Sequence, residues 1–566
     1  MLIIAADAAW FFLMWLRLIK PMPKITKPPS HPFTAHGHRC LRSCCGLFLA
    51  LAWLAVSAAQ AQTTNYTLGT TALVVGPAAG SSSVVLGVTP ATGAWTAGAN
   101  TNWLHLDPAN QSGTGSTNVV FSYDANPGAT RSGTLTIGDQ TLTVTQAGST
   151  YVAGGSLATL VWGYTLEVSG PGGLAVDGSG NVYISSMLGG AIKEWTIANN
   201  TVTTLAHACC GQLEMPFGVA LDSAGNVYIA SGAAIMEWTA ANSNLIKLVS
   251  SGLAGPIGVA VDSSNNVYIS DGDSTIKVWT AANSNLSTLV SSGLHSPCGI
   301  ALDCAGSVYI ADTGSNAIKK WTAGSGTMTT LVSSGLSAPY GVAADGAGNV
   351  YIADKNNNAV KVWTAANGAV TTLVSGLGSP GVVAVDGSGN VYIGDVLDNG
   401  IKELPYAFVD PTPKLEGMAA GNDALPVVLP TTANLLPPFA PTSDQSWLTV
   451  TGITNDVVSF SFTANPGPAR TAHITLLGQT ISITQGLIGT PPALTGAQML
   501  GNGILQFAFT NTPGASFTVV STANLSLPFT NWTAVGASTE ISPGQFQFTS
   551  QPTTNDPQRF YGVRSP

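Results

Sequence analysis

Short runs of alternating residues recur along the middle of the chain, separated by turn-forming residues. The run "NVYIAD" and its variants alternate between two faces, which is the period of a β-strand. It follows a run like "GVALD" and a turn like "DGSGN", in which Asp accepts backbone N–H groups and Gly takes left-handed angles. Runs like "IKVWT" and "TTLV" come next. Each unit is therefore predicted to form four strands, the first with small residues that suit a crowded central axis.

This four-strand unit occurs six times, with a period of 40 to 45 residues. In every copy a Pro stands six residues before an Asp. The pairs are Pro171 and Asp177, Pro216 and Asp222, Pro256 and Asp262, Pro297 and Asp303, Pro339 and Asp345, and Pro380 and Asp386. A repeat of this length fits one four-stranded blade of a β-propeller.

The last copy is incomplete. It ends after "IKELP" without a fourth strand, while an orphan run "ATLVW" precedes the first copy. We therefore predict that residues 158–162 complete the sixth unit, which leaves no open sheet edge. An open solenoid is the alternative, and the split sixth copy disfavours it.

The repeats resemble NHL repeats, whose signature is similar to "PxGVAVDxxGNVYIADxxNxxI". The resemblance covers about residues 156–408 and all six copies. It implies a six-bladed β-propeller of the gluconolactonase-like superfamily.

Two flanking segments resemble each other instead. Both carry a Trp, an "ANPG" turn, an Arg and a final Gln; the matching residues are Trp103 and Trp447, Asn126 and Asn465, Arg131 and Arg470, and Gln146 and Gln485. Their short alternating runs predict β-sandwiches. They resemble the BACON domain of secreted bacterial proteins, which implies carbohydrate or mucin binding.

The predicted fold class is therefore all-β, with a six-bladed β-propeller flanked by immunoglobulin-like β-sandwich domains. The predicted domains are a leader over 1–61, a BACON-like sandwich over 62–149, the propeller over 156–408, a second BACON-like sandwich over 415–487 and a small C-terminal β-sandwich over 491–566.

Composition supports a folded, acidic chain. Of 566 residues, 45% are apolar and 8% are charged, which argues against disorder. The formal charge is −9, although residues 1–61 hold six Lys or Arg and one Asp. The remainder is therefore strongly acidic, and no nucleic-acid partner is expected.

A cleaved export signal is expected at the N-terminus. Arg39 and Arg42 precede the apolar run "CCGLFLALAWLAVSA", and "AQA" ending at Ala61 supplies a cleavage motif. The run is shorter than the roughly 20 residues of a membrane span, so no stable span is expected after cleavage. The expected location is the cell envelope, the periplasm or outer surface, or the extracellular medium. Met22 is a candidate true start, because a second apolar stretch lies before it.

The residue between Pro and Gly in each copy lies at the mouth of the predicted ring. These residues are Gly172, Phe217, Ile257, Cys298, Tyr340 and Gly381. The gluconolactonase-like propellers that the repeats resemble place a metal-binding Asn or Asp in this position, whereas Ca²⁺ needs several oxygen ligands that this chain does not offer there. No cofactor is therefore expected, and the apolar and aromatic residues predict a rim for a sugar or a peptide.

Two histidines and three cysteines are further candidates. His207 and His295 are predicted to lie in connections between repeats, where imidazoles can bind metal or transfer protons. Cys209, Cys210 and Cys298 are candidates for a disulfide that pins the rim, since export permits disulfides. Packing or a disulfide is favoured over a nucleophilic Cys298, because no base is fixed beside it.

The repeated carboxylates are interpreted as architecture. Asp177 and its five equivalents open turns. Four further Asp residues end a second strand and precede a Lys of the third; the pairs are Asp271 and Lys277, Asp312 and Lys319, Asp354 and Lys361, and Asp395 and Lys402. The second copy has Ser231 and Met236 instead. This joint loss predicts a hairpin salt bridge, worth about 0.2–1 kcal/mol if exposed.

These features favour a secreted, non-catalytic modular protein whose propeller and sandwiches bind a glycan or a protein at the cell surface. Two alternatives stay open. One is a propeller lyase or lactonase, the enzyme class that the NHL resemblance implies, and the other is a structural spacer of the cell envelope.

Overall fold

The computed structural model describes residues 63–162, 168–207, 213–431 and 435–486, and most of 494–564. These residues form strands and short 3₁₀ turns, with no α-helix among them. Nothing in this described part is a helix long and apolar enough to cross a bilayer. The predicted leader, Cys209 and Cys210 lie outside the described residues.

Each sequence repeat folds into one antiparallel four-stranded sheet, and we number these sheets one to six along the chain. From first to fourth strand, the bounds are Pro171–Val176, Val182–Ser186, Ala191–Thr196 and Thr201–His207 in sheet one; Pro216–Leu221, Val227–Ser231, Ala234–Thr239 and Asn244–Val249 in sheet two; Val259–Val261, Val267–Asp271, Thr275–Thr280 and Asn285–Val290 in sheet three; Pro297–Leu302, Val308–Asp312, Ala317–Thr322 and Thr327–Val332 in sheet four; Pro339–Ala344, Val350–Asp354, Ala359–Trp363 and Val370–Ser375 in sheet five; and Pro380–Val385, Val391–Asp395, Gly400–Leu404 and Ala158–Val161 in sheet six.

The sixth sheet takes its fourth strand from the N-terminal side of the repeats. Ala158–Val161 pairs antiparallel with Gly400–Leu404, so the predicted pairing of residues 158–162 with the sixth copy is confirmed. A second short pairing joins Val152–Gly154 to Ala407–Val409. The segments that enter and leave the repeats are therefore held together twice.

The first strands of the six sheets contact one another in cyclic order, and sheet six returns to sheet one. The sheets thus form a propeller-like ring. We call the face where the first strands begin the mouth face, and the opposite face, which carries the Asp turns, the turn face.

Glycine permits the close approach of neighbouring first strands. A Cβ on Gly218 would lie 2.6 Å from the carbonyl oxygen of Ile257, which is too close for any other residue. The glycine of the Pro-x-Gly motif is therefore required by packing, and we call the glycines in this position the collar glycines.

Sheet six inverts this arrangement. Val382 takes the position of the collar glycine, and Gly394 lies opposite it on the second strand, where the other repeats have Ala or Ser. A Cβ on Gly394 would overlap the Val382 side chain. In the other sheets a collar glycine faces an Ala or Ser, whereas in sheet six the larger Val382 faces a glycine. The small residue has therefore moved from the first strand to the second.

We expect Gly394→Ala to lower the free energy of unfolding by about 1–3 kcal/mol, the usual range for overpacking. The double variant Val382→Gly/Gly394→Ala restores the arrangement of the other repeats and should recover most of that loss. Urea denaturation of both variants measures the coupling. If the double variant is no more stable than Gly394→Ala alone, the two residues do not compensate each other.

Three modules, each built from two sheets, flank the ring. In the N-terminal module, the first sheet has the strands Asn65–Leu68, Gly80–Thr89, Thr117–Tyr123 and Leu104–His105, and the second has Ala72–Val75, Gln140–Gln146, Arg131–Ile137, Ala94–Ala99 and Ser112–Thr114. In the middle module, the first sheet has Lys414–Glu416, Gln479–Gln485, Arg470–Leu476 and Thr442–Ser443, and the second has Gly421–Ala424, Val457–Phe462 and Leu448–Thr454. In the C-terminal module, the first sheet has Thr495–Leu500, Ile504–Thr510, Gln545–Thr549 and Thr539–Ser542, and the second has Thr533–Ala537, Thr518–Thr522 and Phe560–Arg564. In the N-terminal module both sheets bury their inner faces in one apolar core.

The residues that the two BACON-like segments share form one network in each module. Arg131 Nε donates to Gln146 Oε1 at 2.9 Å, and its guanidinium lies 4.4 Å from the centre of the Trp103 ring. The middle module repeats these contacts with Arg470, Gln485 and Trp447, at 2.9 and 4.2 Å. Both glutamines are fully buried. The shared residues therefore brace the strands from inside.

Candidate functional site

The centre of the ring is a narrow channel lined by glycines and apolar residues. The collar glycines and Val382 surround it, and the space open to the centre of a water molecule is about 60 Å³. One water needs about 10–15 Å³ on this measure, whereas ligand pockets measure about 300–1,000 Å³. The channel thus has room for a few waters, and a sugar or peptide must bind outside it.

The predicted rim residues lie in different environments. Ile257 and Tyr340 line the channel. Phe217 is half-buried and packs on the core between sheets two and three, and Cys298 is 5% exposed. Although these residues occupy the same position in each repeat, they do not form one continuous surface. Their role in ligand binding stays a prediction.

Cys298 and Tyr340 lie together, with Lys355 beside them. Lys355, from the 3₁₀ turn Lys355–Asn357, places its Nζ 4.9 Å from the centre of the Tyr340 ring. Burial raises the pKa of the Cys298 thiol, and burial followed by the nearby Cys298 raises the pKa of Tyr340 to about 12. Both groups therefore stay protonated at neutral pH, which disfavours a nucleophilic cysteine.

The predicted disulfide at the rim stays a prediction. Cys298 is a free thiol in the structure, as is Cys304. Cys209 and Cys210, its two candidate partners, lie outside the described residues.

The two candidate histidines lie apart on the ring. His207 ends the outermost strand of sheet one, so its predicted position in a connection is wrong. His295 does lie in a connection, the one that enters sheet four, and its side chain is exposed. Sheets one and four are not neighbours in the ring. Within the described part of the chain, no three His, Cys, Asp or Glu side chains are grouped closely enough to hold a metal ion.

The predicted Asp–Lys pairs form on the mouth side, but they are buried rather than exposed. Lys319 Nζ lies 2.6 Å from Asp312 Oδ2, and the Asp side chain is fully buried. Asp312 also accepts the backbone N–H of His295 at 2.6 Å, so the pair fixes the connection that enters its sheet. The other pairs are Asp271–Lys277, Asp354–Lys361 and Asp395–Lys402. In sheet one Lys193 persists although Ser186 replaces the Asp, so Asp and Lys are not always lost together.

The mouth face carries exposed apolar side chains that the sequence analysis did not single out. Leu188 and Leu397 are each 71% exposed, on the hairpins between the second and third strands of sheets one and six. Gly170 ties the hairpins together: its N–H donates to Asn399 Oδ1 at 3.0 Å, and its carbonyl accepts from Met187 at 3.0 Å. The equivalent hairpins of sheets three to five are polar, and this contrast was the available signal.

On the turn face, each first-strand Asp holds its own turn, as predicted. Asp345 accepts from the backbone N–H and the side-chain amide of Asn349 at 2.8 and 2.9 Å. The hydroxyl of Tyr351 donates to the same carboxylate at 3.2 Å. At each of the other five Asp residues the carboxylate likewise accepts the backbone N–H of the residue four positions on.

The buried tyrosines predict a loss of stability at alkaline pH. Burial, with Glu194 and Asp177 nearby, raises the pKa of Tyr183 to about 12, and that of Tyr340 is also about 12, against about 10 in an unfolded chain. A folded-state pKa above the unfolded one contributes stability that is present below about pH 10 and lost as the pH rises through about 12. Tyrosinate absorbance should therefore rise together with unfolding. A full tyrosinate transition centred near pH 10 in folded protein would contradict this.

Comparison with known proteins supports the assignment of the flanks. Residues 93–147 and 440–486 match the BACON family model, described as "Putative binding domain, N-terminal". The resemblance of both flanking segments to this domain is thereby confirmed. None of the curated proteins matches the chain.

Solved structures similar to part of the chain include propellers and a binding protein. A gluconolactonase from Xanthomonas campestris is 18% identical, over 44% of this chain and 90% of its own, with a TM-score of 0.39. A virginiamycin B lyase from Staphylococcus aureus is 15% identical, over 42% and 81%, with a TM-score of 0.35. An auxiliary nutrient binding protein from Bacteroides thetaiotaomicron is 11% identical, over 60% and 96%, with a TM-score of 0.39.

Proposed function

We propose that the protein is an exported, modular binding protein in which a six-bladed β-propeller, flanked by immunoglobulin-like β-sandwiches, presents its mouth face to a carbohydrate. The observation that carries the proposal is the exposure of Leu188 and Leu397. Each is 71% exposed, and their two hairpins are both hydrogen-bonded to Gly170. An exposed apolar patch on a protein surface marks an interaction site, and the bonds of Gly170 to both hairpins bring the two leucines to the same part of the mouth face. The apolar faces of sugar rings can pack on such side chains, while their hydroxyls stay in water.

The ring holds this surface in place. Lys402 binds the fully buried Asp395 at 2.7 Å and the hairpin residue Asp398 at 2.5 Å, directly beside Leu397. The hairpin is therefore braced before a ligand arrives, which lowers the entropy lost on binding. The two flanking segments that match a binding-domain model would add further contacts to one extended ligand and so raise its avidity.

A glycan array with the chain from Gln62 onward tests the proposal. We expect the wild type to bind a subset of the glycans. The double variant Leu188→Asn/Leu397→Asn should bind those glycans about tenfold more weakly or worse, since each lost apolar contact is worth about 1 kcal/mol or more. The matched control is Leu373→Asn, because Leu373 is 37% exposed on the outermost strand of sheet five, away from both the mouth face and the flanking modules, and should not alter binding.

Circular dichroism of each variant verifies that the fold is intact. If no glycan is bound, or the double variant binds like the wild type, the mouth face is not a carbohydrate site. If the wild type instead binds a defined protein and the double variant does not, the ligand of the mouth face is a protein rather than a carbohydrate. Turnover of a lactone series would replace the binding function with an enzymatic one.

A further inference from the structure

A cavity of about 670 Å³ lies between the N-terminal module and the turn face of sheets five and six. The module contributes the segment 69–76, Ser81 and Tyr123, and the ring contributes Asp345 and Tyr351 among others. This volume falls within the range of about 300–1,000 Å³ typical of small-molecule sites. It is also on the opposite side of the ring from the mouth face.

Direct bonds between the module and the ring build this cavity. The N–H of Val85 donates to the carbonyl of Gly346 at 3.0 Å, and Tyr406 donates its hydroxyl to the carbonyl of Val74 at 2.7 Å. The backbones meet so closely that a Cβ on Gly69 would lie 2.8 Å from Gly346 Cα. The cavity is therefore preformed rather than opened by a ligand.

Three phenol groups line the cavity. The hydroxyls of Tyr351 and Tyr406 have partners within the protein, Asp345 and the carbonyl of Val74. The Tyr123 hydroxyl has no hydrogen-bond partner among the described residues. Burial raises the pKa of all three tyrosines, so they remain neutral donors. Tyr406 nonetheless keeps 38% of its surface accessible, and this open surface forms part of the cavity wall.

The remaining lining is rich in hydroxyl groups and carries no positive charge. Its hydroxyl residues are Thr70, Thr71, Ser81, Ser82, Thr145, Thr364, Ser388 and Thr431. The described lining includes two carboxylates, Asp345 and Asp386, and no Lys, Arg or His. Anions are disfavoured by this charge, whereas aromatic faces, hydroxyls and carboxylate acceptors complement a neutral polyhydroxy compound.

We propose that this cavity is a second carbohydrate site, which takes a neutral oligosaccharide of about three sugar units. The proposal rests on the carbohydrate-binding function above and adds a site that the mouth face does not include. Asp345 and Tyr351 recur as turn residues on the other sheets and are structural. The residues particular to the cavity are Tyr123, Ser81 and Tyr406, and Tyr123 offers the unused donor.

Titration calorimetry on the chain from Gln62 onward, with maltotriose, cellotriose and xylotriose as probes, tests the proposal. At least one of these neutral trisaccharides should bind, and trigalacturonate should not. Tyr123→Phe removes one hydroxyl and should weaken binding about three- to tenfold, the range for a single hydrogen bond. Its matched control is Tyr268→Phe, in the turn network of sheet three, which should leave binding unchanged.

A second variant tests the location without removing a donor. Ser81→Trp should fill the cavity and abolish binding, whereas Thr141→Trp, on an exposed position of the same module, should not. The proposal is overturned if no neutral trisaccharide binds, if trigalacturonate binds equally well, or if Ser81→Trp binds like the wild type. Leu188→Asn/Leu397→Asn should bind these trisaccharides normally. If no trisaccharide binds but the wild type still binds glycans through Leu188 and Leu397, the cavity site is contradicted while the mouth-face site is not.

Discussion

Val161→Asp is expected to lower the free energy of unfolding by about 3–5 kcal/mol, because it buries an unpaired charge in the closing strand. Val161 is 3% exposed and lies opposite Ile401. Its neighbour Leu160 is also buried. The charge has no partner of opposite sign in this apolar core, so the strand must separate from the sixth sheet or carry a protonated carboxyl group.

The matched variant Val290→Asp separates ring closure from simple burial. Val290 is 8% exposed and lies opposite Ile276 in sheet three, the register that Val161 has in sheet six. Both substitutions bury a charge, but the strand of Val161 alone comes from the far side of the repeats. We therefore expect hydrogen exchange in Gly400–Leu404 to rise strongly in Val161→Asp and little in Val290→Asp.

The exposed position Thr372 on the fourth strand of sheet five supplies the neutral reference. Thr372→Asp should change the free energy of unfolding by about 0.5 kcal/mol or less. Unchanged exchange in Gly400–Leu404 after Val161→Asp would show that this strand does not hold the ring together.

The strands and the closing pairing were predictable from the sequence because each rests on a local pattern that the chain repeats. The run before the first copy and the gap in the sixth are visible side by side once the copies are aligned. The function of the collar glycines was not visible, although Gly299 stands in an evident motif. Glycine is required there because the backbone of the next repeat lies against it. That contact joins two copies, so it cannot be read from the sequence of either copy alone.

The candidate sites were harder to predict because their residues meet only in the folded chain. Cys298 and Ile257 occupy the same position of the repeat, yet Cys298 is buried and Ile257 lines the channel. The exposure of Leu188 was foreshadowed by an apolar residue in a hairpin that is polar elsewhere. Tyr123 and Tyr406 belong to different modules, and their shared cavity follows from how the N-terminal module docks on the ring.

Gly299→Ala is expected to lower the free energy of unfolding by about 3 kcal/mol, the upper range for overpacking. Its Cβ would lie 2.7 Å from the carbonyl oxygen of Tyr340 and 2.9 Å from Gly341 Cα. Both atoms belong to the backbone of the next first strand, so no side-chain rotation relieves the overlap, and the strain must pass to the ring. The control is Gly324→Ala, since a Cβ on Gly324 would meet no atom within 4 Å; it should be neutral or slightly stabilising. Urea denaturation followed by tryptophan fluorescence measures the stability of both variants. If the two variants are equally stable, the first strands leave room for a side chain at position 299, and the collar glycine is not required by packing.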